Sequence, residues 1–186
     1  QMGLSTKKVK ISMPGYVEKA LKRFNHIAKG RQQHSPHQWN KPTYGTTTQF
    51  ANNDESAPAP QSASKHIQQV VGTFLYYALA LDLTMLVSLG TIATQQNRPT
   101  ETTMSEVTWF LDYCAAHPDA CIEYSASNMV LWTASDASYL SETNARSRAG
   151  AIFFLGPKPN EPGQPPKEQP PKNGIVFALA KIINTV

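Results

Sequence analysis

With 186 residues, of which 40% are hydrophobic and 16% charged, the chain has enough apolar sequence to bury the core of one ordinary domain or two small ones, which excludes a wholly disordered polypeptide. Two cysteines are too few for a disulfide-stapled scaffold. A formal net charge of +4 suits either a polyanionic partner or an ordinary solvated basic surface.

Lys and Arg gather at the front, at Lys7, Lys8, Lys10, Lys19, Lys22, Arg23, Lys29 and Arg31. Such a front suits a nucleic-acid backbone, whose phosphates attract cations whatever the sequence. Residues 8–13 alternate basic and apolar side chains, with Val9, Ile11 and Met13 on one side, which predicts a short strand. Pro14 then fits a first helical turn behind Ser12. Val17, Ala20, Leu21 and Phe24 recur at helical spacing and predict an amphipathic helix with its basic residues outward. Residues 25–64 are rich in Pro, Ser and Asn and read as a tethered loop passing into a flexible linker. Within it Trp39 and Tyr44 either anchor the loop to the body or stack on bases.

Residues 67–93 are the most hydrophobic stretch. Val70, Val71, Phe74, Leu75, Tyr77, Ala78 and Leu81 make one helical face, and Met85, Leu86, Leu89 and Ile92 make another after Asp82. A membrane span needs about 20 predominantly apolar residues without a bare charge at mid-depth. Asp82, with Gly72, Thr73, Thr84 and Ser88, predicts two core helices with a turn near Asp82, and no membrane partner. Thr100 is placed to cap a third helix, with Glu101 in its first turn. Met104, Val107, Phe110, Leu111, Cys114 and Ala115 mark its inner face, and His117 with Pro118 ends it. Residues 121–124 predict a short strand leading towards Met129. Cys114 and Cys121 read as buried or half-buried thiols; a zinc site joining them to His34 and His37 would use pairs set far apart.

Residues 128–155 hold the one plausible catalytic carboxylate. An apolar run over residues 129–132 leads to Asp136, flanked by Ala134, Ser135, Ala137 and Ser138, and a second apolar run covers residues 149–155. The polar segment 141–148 between them predicts a connection carrying Arg146 and Arg148, so Asp136 is expected just before a turn on the first of two antiparallel strands. On spacing alone Asp136 is either a strand-end carboxylate or one ligand of a metal or phosphate site, whose small neighbours leave room. One aspartate cannot by itself hold the paired ions of two-metal nuclease chemistry. The proline-rich stretch after Gly156 predicts a stiff projecting loop, a spacer or an SH3-type ligand, and residues 175–180 predict a third strand.

The sequence SDASYLSETNARSRAGAIFFLG resembles the start of the ribonuclease H domain in polyproteins of copia-type LTR retrotransposons. In that family a strand ending in Ser-Asp-Ala, a polar loop with basic residues and a Gly-x-x-Phe-Phe-Leu-Gly strand follow one another. Here these are Ser135 to Ala137, Arg146 with Arg148, and Gly150 to Gly156. VVGTFLYYALALD is similar to a further family segment, and KKVKISMPGYVEKALKRFNH to the join after the polymerase palm, so nearly the whole chain is covered. The family's arginine in the first of these is Leu79 here, and two residues often His and Asp before the catalytic strand are Ser125 and Asn128.

The resemblance implies an α+β fold, a helical connection layer followed by an incomplete ribonuclease H-like antiparallel three-stranded sheet. Residues 1–24 would be the end of the palm and the start of a thumb or connection, 25–64 a loop and linker, 65–118 the helical connection, and 119–186 a truncated ribonuclease H-like domain. Gln1 at one end and the apolar run stopping at Val186 at the other read as cut from something longer. The family enzyme cleaves RNA in RNA–DNA hybrids with Mg²⁺, and Asp136 would be its catalytic and metal-binding residue here; the family's other three carboxylates have no counterpart. Arg146, Arg148, Lys22 and Arg23 would hold nucleic acid. Expected partners are an RNA–DNA hybrid or other nucleic acid and the remainder of the polyprotein, in an intracellular setting, cytoplasmic or nuclear. Alternatives left open are a noncatalytic nucleic-acid-binding or connection module and a nonfunctional relic.

Overall fold

A computed structural model describes residues 2–3, 7–28, 32–38, 54–158 and 173–183. Trp39, Tyr44, Lys29, Arg31 and most of the proline-rich insert lie outside the described residues. The alternation at the front forms β2 (Lys8–Ser12), which pairs antiparallel with β1 (Met2–Gly3) on one side. Its other neighbour is β3 (Cys121–Ser125), with Ile11 opposite Ile122 and Lys10 opposite Glu123. The short strand expected to lead only towards Met129 therefore closes a sheet with the front of the chain.

Helix α1 (Tyr16–Arg23) starts from Gly15, whose φ of 72° is the left-handed conformation glycine adopts without a Cβ penalty. Ser12 does not cap it; no side chain does. Val17 and Ala20 are its buried residues. Helix α2 (Ser62–Ala80) begins inside the stretch expected to be linker, because Ala63 and Ile67 already bury against the core. It stops where the sequence places Asp82. The Asp82 carboxylate accepts the Thr84 N–H at 3.2 Å and the Thr84 hydroxyl, and that hydroxyl meets the Tyr113 Oη at 2.9 Å. A buried acid with local partners favours a bend over a continued helix. After one 3-10 turn the chain enters α3 (Leu86–Gln95).

Helix α4 (Glu101–Ala116) has the expected Thr100 cap. The Thr100 Oγ1 accepts the Thr103 N–H at 3.2 Å, while the Thr103 Oγ1 accepts the Thr100 N–H at 3.1 Å. His117 ends it, also as expected. Phe74, Tyr77, Met85, Leu89, Val107, Phe110 and Cys114 from α2 to α4 form the centre of the core, each fully or almost fully withdrawn from water. Burying an aromatic or aliphatic side chain of this size contributes about 1.5–3 kcal/mol, so this layer dominates stability. Tyr77 ties it to the first sheet, donating to the Pro118 carbonyl at 3.1 Å and accepting the Ala120 N–H at 3.1 Å.

The second sheet consists of β4 (Val130–Glu142), β5 (Arg146–Gly156) and β6 (Ile175–Ile183), antiparallel in that order. One face carries Arg148, Phe154, Ala178 and Ala180 towards the helices; Phe154 and Ala178 are buried there, and β6 packs on α3. The opposite face carries Leu131, Phe153, Phe177, Leu179 and Ile183. The described residues are thus α+β, with four α-helices and antiparallel sheets.

Candidate functional site

The strand bearing the candidate carboxylate is longer than the sequence suggests. β4 runs six residues past Asp136, so Asp136 lies in mid-strand and not before a turn. The reason is that Ser138 to Glu142 continue the ladder through a register shift, with Leu140 in a left-handed conformation (φ 51°) and Glu142 paired to Arg146. The turn itself is confined to Thr143, Asn144 and Ala145, and Asn144 and Ala145 take the left-handed conformations that make it tight.

Asp136 pairs with Gly150, and Gly150 with Ala180. The row therefore has no bulk beyond the carboxylate, and Asp136 is exposed on the edge strand. Its Oδ1 accepts the N–H of Ala137 at 2.8 Å. Among the described residues, no three His, Cys, Asp or Glu side chains come together as a metal-binding group. Hard divalent ions need several oxygen ligands. Asp136 alone does not fit Mg²⁺, and among the described residues no others complete such a site.

Arg146 and Arg148 were expected in the loop and stand on β5, with their donors committed to the hairpin. The Arg146 Nε donates to the Thr143 carbonyl and its Nη2 to the Thr143 hydroxyl, both at 3.1 Å, closing the turn. Arg148 makes a two-pronged ion pair with Glu142, Nε to Oε1 at 2.6 Å and Nη2 to Oε2 at 3.2 Å. The same Nη2 donates to the Thr91 hydroxyl of α3 at 3.1 Å, and Nη1 lies buried beside Gly90 without a partner. Arg148 thus fastens the hairpin to the helical layer, a role that competes with holding a phosphate.

Lys22 and Arg23 sit exposed on α1, with Lys19 beside them. The Arg23 guanidinium lies 5.9 Å from the centre of the Phe24 ring. Lys8 is paired instead, to Glu123 at 2.7 Å, and that contact holds the exposed Glu123 carboxyl below its ordinary range. Helix α1 packs on α4, whereas Asp136 belongs to β4, so the cationic helix and the carboxylate stand on separate elements.

Two polar features had no signal in the sequence. Asp54 sits at the start of α4, where hydrogen bonds from the Thr100 hydroxyl and from Ser56 pull its carboxyl down to about 2. It lines a cleft of about 380 Å³ with Gln95, Arg98 and Thr143. Close by, burial and the Asp54 charge raise the Glu106 carboxyl, whose Oε2 is buried without a partner. A second cleft, of about 360 Å³, has Phe24, Val107 and Leu111 in its lining beside a His26–Asp112 pair at 2.8 Å. Those partners are 86 residues apart, and nothing in spacing announces them. The thiols diverge: Cys114 is buried, and burial beside Asp82 pushes it well up, while Cys121 is exposed on β3, contrary to expectation. On a three-stranded sheet with an open face, alternate residues meet solvent.

No described helix is long and apolar enough to cross a membrane. Comparison with known proteins finds no matching family model, no matching curated protein and no matching solved structure.

Proposed function

We propose that the chain is a piece of a copia-type retrotransposon polyprotein, spanning the connection after the polymerase palm and the first strands of a ribonuclease H-like domain. The observation that carries this reading is the position of Asp136: an exposed acid on the first of three antiparallel strands, opposite a glycine, within the Ser-Asp-Ala and Gly-x-x-Phe-Phe-Leu-Gly motifs quoted above. In the intact family enzyme Mg²⁺ supplies the activated water that attacks the RNA phosphodiester. Asp136 would be one of its ligands, with the others contributed from outside this chain.

What this chain's own residues do is narrower. The exposed Lys19, Lys22 and Arg23 of α1 attract the phosphates of an RNA–DNA hybrid or other nucleic acid, and Arg146 and Arg148 hold the hairpin in shape. The chain alone is therefore a binding and connecting module without nuclease activity.

A labelled RNA–DNA hybrid tests both parts. Binding should weaken steeply with salt, survive Asp136→Asn, and lose about two units of log–log salt slope when Lys22 and Arg23 are replaced by Ala. No cleavage is expected as Mg²⁺ is titrated in. Cleavage that Asp136→Asn abolishes would overturn the noncatalytic assignment, and absence of binding even at low salt would overturn the nucleic-acid reading.

A further inference from the structure

Three tyrosines lead from the core to the surface where α1 meets α2. Tyr77 is fully buried, and the Tyr16 ring stacks on it with centres 5.3 Å apart and planes at 12°. Tyr16 is half-buried and held a second time, its hydroxyl donating to the Thr73 carbonyl at 2.9 Å. Its other aromatic neighbour is Tyr76, 61% exposed, with ring centres 6.1 Å apart. An exposed ring beside a neighbour so firmly fixed is a preorganised flat surface, and a ligand that stacks on it orders little else.

Cations stand beside this stack. Tyr16, Lys19 and Arg23 follow one another at helical spacing along one stripe of α1. Burial raises the Tyr16 phenol, Tyr76 adds to this and the Arg23 charge opposes it, so the guanidinium is within electrostatic reach of the stack. Glu18, the one acid of α1, lies a turn before Lys22 and offsets that lysine instead. The Arg23 guanidinium also sits 5.9 Å from the centre of the Phe24 ring, which meets His66 edge to face at 5.7 Å. His66 and Tyr76 both belong to α2, about 15 Å apart along its axis. An aromatic pair, a cation and a second aromatic pair therefore alternate over that length.

We infer that this track binds unpaired nucleotides: one base stacks on Tyr76, phosphates lie on Lys19 and Arg23, and a further base enters the cleft beside Phe24 and His66. The inference rests on the proposed nucleic-acid reading and narrows its ligand to a single strand or the single-stranded end of a hybrid. Alternation of aromatic rings with cations is what single-strand binding needs, because every unpaired base has a π-face to stack and a phosphate to neutralise. Within a duplex those faces are already stacked on one another, so Tyr76 gains nothing there. Leu79, 52% exposed and one turn beyond Tyr76, would suit an apolar protein partner, but Lys19 and Arg23 beside the stack favour a polyanion.

Fluorescence anisotropy of the full chain tests it with a short labelled DNA strand, the same strand annealed to RNA, and the same backbone without its bases. The single strand should bind more tightly than the hybrid at equal salt. Tyr76→Ala should weaken single-strand binding about tenfold, with the salt slope and far-UV circular dichroism unchanged. Tyr76→Phe should keep the affinity, since the ring and not the hydroxyl makes the contact. On the abasic strand Tyr76→Ala should bind as the unsubstituted chain does, whereas Arg23→Ala should lower the salt slope by about one unit on all three. Equal losses for Tyr76→Ala on the single and abasic strands, or no loss on either, overturn the stacking platform while leaving the attraction of the basic helix for phosphates intact. No binding of any of the three at low salt overturns both readings, and so does a protein that binds through Tyr76 and Leu79 where the strands do not.

Discussion

Glu106 is the residue at which the fold holds a charge at a cost. Burial and the neighbouring Asp54 carboxylate both raise its carboxyl above the ordinary value of 4.5, and its Oε2 has no partner. A carboxyl raised in the folded state favours the protonated form there, so its penalty is absent below the unfolded value and grows as pH rises through 4.5 towards the raised one. Above the raised value the folded chain carries the full penalty. Glu106→Gln should therefore raise stability at pH 7 by about 1 kcal/mol, or a few degrees in melting temperature, and give no benefit at pH 4. Thermal melts of both proteins at the two pH values check this; equal gains at both would assign the effect to packing. Asp54 has the opposite sign, since its depressed carboxyl contributes stability above 3.8 that is lost as pH falls towards about 2.

At the scale of elements, Arg148 decides whether the second sheet stays against α3. The Arg148 side chain is 13% exposed and that of its partner Glu142 22%, so removing the arginine strands a mostly buried acid and breaks the bond to Thr91. Arg148→Ala should cost about 2–3 kcal/mol, and Arg148→Ala with Glu142→Ala should recover part of that loss, because no uncompensated charge remains. Hydrogen exchange should show the loss first in β4 and β5, while amides of α2 and α4 stay protected; uniform loss over all elements would count against this role. The same residue shows where sequence reading stops. Alternation and turn chemistry reveal β5, β6, the Thr100 cap and the bend at Asp82, since each depends on neighbours a few residues away. Arg148 reads as a loop cation because its acid is six residues back around a bulge and its hydroxyl 57 residues away. The pairing of β2 with β3 is hidden for the same reason, as short strands carry no label for a distant partner. The motif singles out Asp136, but its place in mid-strand follows from a register shift that composition does not encode.

For the whole molecule, the contacts predict one cooperative unit despite two separate sheets. The first sheet is held through Tyr77, which bonds the segment between α4 and β3, and through Ile122, which packs against the core. The second is held through Ala178, Ile175 and Ala180 of β6, all in contact with that same core, and through Arg148. Both sheets thus depend on helices that share Phe74 and Phe110, whose rings meet edge to face at 5.3 Å. Phe110→Ala empties the middle of this layer and should cost about 3–5 kcal/mol. Two indoles report on different layers, since Trp109 lies on α4 with its Nε1 donating to the Ser35 carbonyl at 2.9 Å, and Trp132 lies on β4 donating to the Pro157 carbonyl at 3.0 Å. Urea unfolding followed with Trp109→Phe and Trp132→Phe variants, each in a Trp39→Phe background that removes the third indole, separates the two signals. If the helical core supports the sheet, Phe110→Ala will lower both midpoints together, and each will match the midpoint from far-UV circular dichroism. A Trp132 transition that stays in place while the helices melt would mean that the second sheet stands on its own β4–β5–β6 pairing, and three strands with one open face give it little means to do so.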